Sequence, residues 1–170
     1  MYYIDGYNVI HTSSRLKSRI NRDLESARDG LIDKVASFCT VTGQEVTIVF
    51  DGTGKHKADR VEHHRGVDHM HVLYAPGNLT ADSVIERMIY KARNKLSMVV
   101  VSNDNGLRNL CRGMGAMTME ADSFLKIARE SRSDISTTVN RTRKETPAFL
   151  EDGLDDGARE KLQALRDKLK

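Results

Sequence analysis

Short apolar runs alternate with helical stripes along most of this chain. Tyr2–Ile4 is apolar and runs straight into Asp5. After a polar connection, Leu24, Ala27, Leu31, Val35 and Phe38 recur at helical spacing and predict a helix over about 22–40, with Gly43 placed to end it. Residues 45–50 read as a strand whose continuous β-branched run, Val46–Val49, is the pattern of a parallel strand covered on both faces. Val72–Tyr74 reads as a short strand closed by the turn pair Pro76-Gly77. Thr80 is placed to cap a helix whose buried stripe is Ile85, Met88, Ile89, Ala92 and Leu96. Residues 98–102 are a further strand, and Leu107, Leu110, Cys111 and Met114 mark a helix ended by Gly115. Residues 117–120 make a last strand before a helix over 123–130. Strands alternating with helices in this way predict an α/β protein built on a parallel sheet.

The pattern changes near residue 132. Residues 132–149 are rich in Ser, Thr, Arg and Asn and predict a polar connection. A final helix is expected over 155–170, with the narrow stripe Ala158, Leu162, Leu165 and Leu169. The expected organisation is therefore a domain over 1–131 and an extension over 132–170. Hydrophobic residues at 39% and charged residues at 30% fit a globular chain of this length, 170 residues. No apolar run approaches the ~20 residues needed to span a bilayer. With a strand at the start and no secretory pattern, the expected compartment is the cytoplasm. Cys39 and Cys111 lie in apolar helix faces and read as buried thiols rather than a disulfide. Five of the six histidines, His56, His63, His64, His69 and His71, cluster in one stretch, but no cysteine is near and the spacing matches no closed zinc site.

Acids sit where the strands end. Asp5 follows the first strand, Asp51 the second and Asp104 the one at 98–102, while Asp82 and Glu86 stand one turn apart at the start of the intervening helix. Each has an ordinary explanation: Asp5, Asp51 and Asp104 can serve turns or helix caps, Asp82 can favour a helix N-terminus, and Glu86, most readily of all, can be a solvated helix residue. Their joint occurrence in successive βα units has a different meaning. The carboxyl ends of parallel strands share one edge of the sheet, and carboxylates crowded there repel one another unless they hold a cation. The pattern points to a metal-dependent enzyme. Net charge is only +3, but the basic residues are unevenly placed. Arg15, Lys17 and Arg19 follow the first strand with no acid among them, and Lys55, Lys57, Arg60 and Arg65 follow the second. A basic rim beside a carboxylate centre suits a phosphate-backbone substrate.

Asp5-Gly6-Tyr7-Asn8-Val9-Ile10, Phe50-Asp51-Gly52, Thr80-Ala81-Asp82 with Glu86, and Ser102-Asn103-Asp104 together resemble the motif series of the YacP-like NYN-domain nucleases, in the PIN-like superfamily. The resemblance runs from Met1 to about Glu130. It implies a three-layer α/β/α sandwich with a Rossmann-like, mostly parallel sheet. It also implies endonucleolytic cleavage of RNA, with Mg2+ or Mn2+ held by the acids. Carried over by motif, Asp5, Asp82 and Asp104 match the core acidic positions, Asn8 the motif asparagine, and Asp51 and Glu86 flanking acids. The chain departs from the pattern at Asn103, where threonine or serine is more usual before the aspartate. Some relatives of this branch cleave mRNA on ribosomes, so RNA, and a ribosome carrying it, are the partners implied.

Two other readings share these residues. Phe50-Asp51-Gly52-Thr53 resembles a haloacid-dehalogenase phosphatase motif, but the nucleophilic acid that motif needs is Val49 here. The other is a non-catalytic RNA- or ribosome-binding module that retains an acidic edge without turnover.

Overall fold

The computed structural model describes residues 1–20, 23–52, 62–63 and 66–132. Lys55, Lys57, Arg60 and Arg65 lie outside the described residues, as do His56, His64 and the connection and helix expected beyond 132. The chain divides after Arg132 into two units, Met1–Arg132 and Ser133–Lys170.

In chain order the elements are β1 (Tyr2–Asp5), α1 (Gly6–Thr12), α2 (Ser14–Ile20), α3 (Leu24–Thr42), β2 (Val46–Phe50), β3 (Glu62–His63), β4 (Met70–Tyr74), α4 (Ala81–Lys91), β5 (Val99–Val101), α5 (Asn105–Gly113) and β6 (Met117–Met119). A 3-10 turn at Lys95–Ser97 precedes β5, and residues 121–132 form a further helix, α6. The sheet order is β3-β4-β2-β1-β5-β6. Five strands are parallel, and among the described residues β3 alone runs antiparallel, beside β4.

Alternation within each strand builds two cores. Ile4, Ile48, Phe50 and Val101 face α1, α2, α3 and α6, whereas Tyr3, Val49 and Val100 face α4 and α5. This is the three-layer α/β/α arrangement. Cys39 and Cys111 are buried in opposite layers, so the sheet separates the two thiols. Among the described residues no helix is long and apolar enough to cross a membrane.

Three sequence expectations need correction. The polar connection after Asp5 is two short helices, anchored by Val9, Ile10 and Leu16, all buried. Burial of these few side chains, rather than a long stripe, holds them in place. Leu96 is 75% exposed, because α4 ends at Lys91 and the chain leaves the helix axis before reaching it. Leu110 is likewise exposed on α5, whose buried anchors are Leu107 and Cys111. The other boundaries shift by one or two residues. α3 starts on Asp23, whose carboxylate accepts from the amides of Glu25 and Ser26, and stops at Gly43 in the left-handed region, φ 66°.

The topology fixes where a site can form. Strands β2 and β4 are added on one side of β1, and β5 and β6 on the other. The direction of winding reverses at β1, which opens a crevice at the carboxyl ends of β1 and its neighbours.

Candidate functional site

Asp5 stands at that reversal point. It is 8% exposed, and each of its oxygens is engaged. Oδ1 accepts from the Asn8 amide at 3.1 Å, capping α1, and Oδ2 accepts from the Ser102 hydroxyl at 3.3 Å. Burial is the main force raising its pKa, to about 6; the charges of Asp82 and Asp51 add to the rise, and the bonds from Asn8 and Ser102 oppose it. Gly6 is required beside it, since a Cβ would overlap the Phe50 ring.

The other acids arrive from three directions. Asp51 is exposed at the end of β2 and accepts from the Ala81 amide at 2.7 Å, tying this strand end to the start of α4. Gly52 lets the chain turn there, because a Cβ would overlap the Ala75 carbonyl oxygen. Thr80 caps α4 as expected, accepting from the Ser83 amide. Asp82 occupies the first turn of α4, and its pKa is raised by burial and then by the charges of Asp104, Asp51 and Glu86. Asp104 is exposed and caps α5, accepting from the Leu107 amide at 2.8 Å. Asp5, Asp51, Asp82, Glu86 and Asp104 thus form one electrostatically linked edge. The capping roles weighed for Asp51 and Asp104 are real, yet each leaves a second carboxylate oxygen.

Sequence reasoning missed what orients this edge. Ser102 is fully buried; its hydroxyl donates to Asp5 and accepts from the Asp104 amide at 3.1 Å, so one side chain links two of the acids. A serine where β5 meets the acidic motif was the available signal. Asn8 belongs to the same network. Its Oδ1 accepts from the Asn103 amide at 2.7 Å. Asn103 donates to Thr12 and accepts from the Ala121 amide, so Asn8 and Asn103 strap the β5 loop to α1 and α6. The departure from the family pattern at Asn103 therefore has a structural use.

Beside the edge, Arg28 of α3 is 5% exposed. It donates to the Tyr7 hydroxyl and lies 5.5 to 5.9 Å from the ring centres of Tyr7, Phe50 and Tyr74. Tyr7 is committed to this aromatic enclosure, with its ring 5.2 Å from that of Phe50. Arg15, Lys17 and Arg19 are exposed on α2. Of the histidines, His69 bonds the Cys39 carbonyl oxygen and His71 lies 3.9 Å from Glu45.

The donor set is hard and oxygen-only. Cys111 lies fully buried, and burial with the charges of Glu86 and Asp82 holds its thiol up at about 11, so it stays protonated. Among the described residues no three His, Cys, Asp or Glu are already assembled as a metal-ligand cluster. The acids are spread along an open edge, which suits Mg2+ or Mn2+: such ions keep waters and take one or two carboxylates together with substrate phosphate. The pKa values of Asp5 and Asp82 are raised first by burial and then by neighbouring carboxylates, and a cation would relieve that second part.

The chain matches the model of the YacP-like NYN domain over residues 2–167, past the point where the sequence motifs end. It is 30% identical over 146 residues to Uncharacterized protein YacP of Bacillus subtilis (strain 168), covering 85% of this chain and 84% of that protein. Its fold is similar to the crystal structure of Rae1 (YacP) from Bacillus subtilis, with a TM-score of 0.70, 27% identity and coverage of 98% of this chain and 92% of that one. The crystal structure of a mutant of the same protein matches with a TM-score of 0.71 at 27% identity, over 96% of this chain and 98% of that one.

Proposed function

The chain belongs to the YacP-like NYN domain family, a nuclease-like family, and from that premise we propose that it is an endoribonuclease dependent on Mg2+ or Mn2+. The observation that carries the reading is the linked carboxylate edge at the winding reversal, with Asp5 buried and its pKa raised to about 6. Asp5, Asp82 and Asp104 hold the ion in this reading, flanked by Asp51 and Glu86. A bound ion supplies Lewis-acid activation of water and neutralises charge at the scissile phosphate. The chain's own residues supply the rest. Ser102 holds Asp5 and the Asp104 amide in register. Asn8 fixes the loop that carries Asp104 and acts as a positioning residue. Arg15, Lys17 and Arg19 offer exposed charge to the phosphate chain. Lys55, Lys57, Arg60 and Arg65 keep the same role by sequence alone.

A phosphatase reading has less support, since Val49, where that chemistry needs its nucleophile, is buried against α4 and α5. A non-catalytic RNA- or ribosome-binding module is the second reading, favoured by the capping bonds of Asp51 and Asp104. Incubation of the protein with single-stranded and structured RNA in Mg2+, Mn2+ or EDTA decides between them. Internal cuts that need the divalent ion support the nuclease, and binding without cleavage in either ion supports the module. The same assay on translating ribosomes tells whether the RNA is cut free or ribosome-bound.

A further inference from the structure

Away from the carboxylates, five basic side chains gather where α2, α3 and α6 cover the sheet. Arg15 and Arg19 are exposed on α2, Lys34 is half-buried on α3, and Arg129 and Arg132 are exposed on α6. Gly30 shows how close the helices come. A Cβ there would lie 2.7 Å from Arg19 Nη1 and 2.9 Å from Leu16 Cδ2, so α2 lies directly on α3 and the guanidinium crosses it. Lys34 is the next residue along that helical row, four positions on. Phe38, one further turn along, meets Phe124 of α6 with ring centres 5.4 Å apart. Arg129 and Arg132 follow the buried Ala128 in the same helix. Burial lowers the Lys34 pKa, and the charges of Arg15, Arg129, Arg132 and Arg19 lower it further, all of its own sign. Among the described residues none of the five forms an ion pair with an acid.

Like charges crowded in this way are unfavourable without an anion, the mirror image of the carboxylate edge. The two regions are distinct. Arg28, enclosed by Tyr7, Phe50 and Tyr74, marks the end of α3 nearest the carboxylates. Lys34 lies further down the same helix by about 9 Å at ~1.5 Å per residue. Several cations spread over three helices fit a chain of phosphates better than one small anion.

We propose that Lys34, Arg129 and Arg132 extend the cationic face begun by Arg15 and Arg19 into a longer RNA-contact surface, gripping the phosphate backbone outside the stretch held at the carboxylate edge. The inference rests on RNA being the substrate class of the proposed function. It assigns affinity and cleavage to different parts of the molecule.

The test is Lys34→Gln combined with Arg129→Gln and Arg132→Gln. Fluorescence anisotropy with a single-stranded RNA of about 30 nucleotides, in EDTA to prevent cleavage, gives affinity at several salt concentrations. Each lost phosphate contact lowers the slope of log affinity against log salt by about 0.7 for a single strand, so the triple variant is expected to lose about 2 units of slope. Its penalty for a fourfold rise in salt then shrinks by about 16-fold. Mg2+-dependent cleavage at saturating RNA is expected to stay near wild type. Should the triple variant melt early, Arg129→Gln with Arg132→Gln alone carries the test, with a slope lower by about 1.4. An unchanged slope in a protein that still cleaves RNA overturns this surface and leaves the nuclease intact. A wild type that cleaves nothing, yet loses salt dependence with these substitutions, leaves the surface standing and removes the nuclease.

Discussion

Asp5→Asn separates the charge of the buried carboxylate from its shape. The unfolded carboxyl titrates near 3.8 and the folded one at about 6. Below 3.8 both forms are protonated, and the folded state enjoys its full advantage there. As pH rises through about 6 the folded protein must ionise a buried group beside Asp82 and Asp51, and stability is lost. A rise of about two units corresponds to about 3 kcal/mol at pH 8, to order of magnitude. Asparagine keeps Oδ1 as the acceptor for the Asn8 amide and is itself a good N-cap. Its amide nitrogen cannot accept from Ser102, which costs about 1 kcal/mol. The variant is therefore expected to gain about 2 kcal/mol at pH 8, a rise in Tm of about 4–8 °C. Near pH 4 that gain vanishes or reverses by about 1 kcal/mol, because the wild-type carboxyl is then protonated and keeps its bond with Ser102. Thermal melts of both proteins between pH 4 and 8 in EDTA measure the difference. A Tm gap that does not change with pH, or a variant that melts lower at pH 8, would refute the reasoning that burial and neighbouring charge strain this carboxylate.

Gly6→Ala is expected to destabilise by about 1–3 kcal/mol through overpacking against the Phe50 ring, read by urea denaturation; wild-type stability would show that the first turn of α1 can shift freely. Tyr7→Phe removes the hydroxyl that accepts from the buried Arg28 and is expected to cost about 1–3 kcal/mol with little change in the far-ultraviolet spectrum; an unaffected midpoint would mean that this hydroxyl is not what holds the guanidinium. Ser102→Ala unties Asp5 from the Asp104 amide and removes a bond that lowers the Asp5 pKa. It is expected to move the acidic limb of the RNA-cleavage pH profile upward while retaining some activity, and an unshifted limb would remove Ser102 from the site.

Much of this architecture was legible in the sequence because its strands are short, continuous apolar runs and its acids stand where those runs end. Val46–Phe50 is buried at every position, as a central strand covered by helices on both faces must be. Thr80 and Gly43 announced helix boundaries because capping is local chemistry. The two helices after Asp5 were not legible, since each is held by one or two side chains that must find α3 before they are buried. Leu96 misled because a helical period can continue in sequence after the helix has ended. At the candidate site, the position of each acid followed from the motifs. Their coupling through Ser102, the strap formed by Asn8 and Asn103, and the enclosure of Arg28 all join residues far apart in sequence, and only the sheet order brings them together. The same holds for Lys34, an ordinary helix lysine until α2 and α6 deliver their arginines.

The central claim is that the carboxylate edge binds a divalent ion and hydrolyses RNA. The most direct measurement is cleavage of one end-labelled RNA by wild type, Asp5→Asn and Asp104→Asn under identical Mg2+, after melts confirm that all three are folded. The wild type is expected to cut internally and to stop in EDTA, with both variants slower by about 100-fold or more through loss of an ion-holding charge. Turnover by Asp5→Asn close to that of the wild type in Mg2+ would contradict the account.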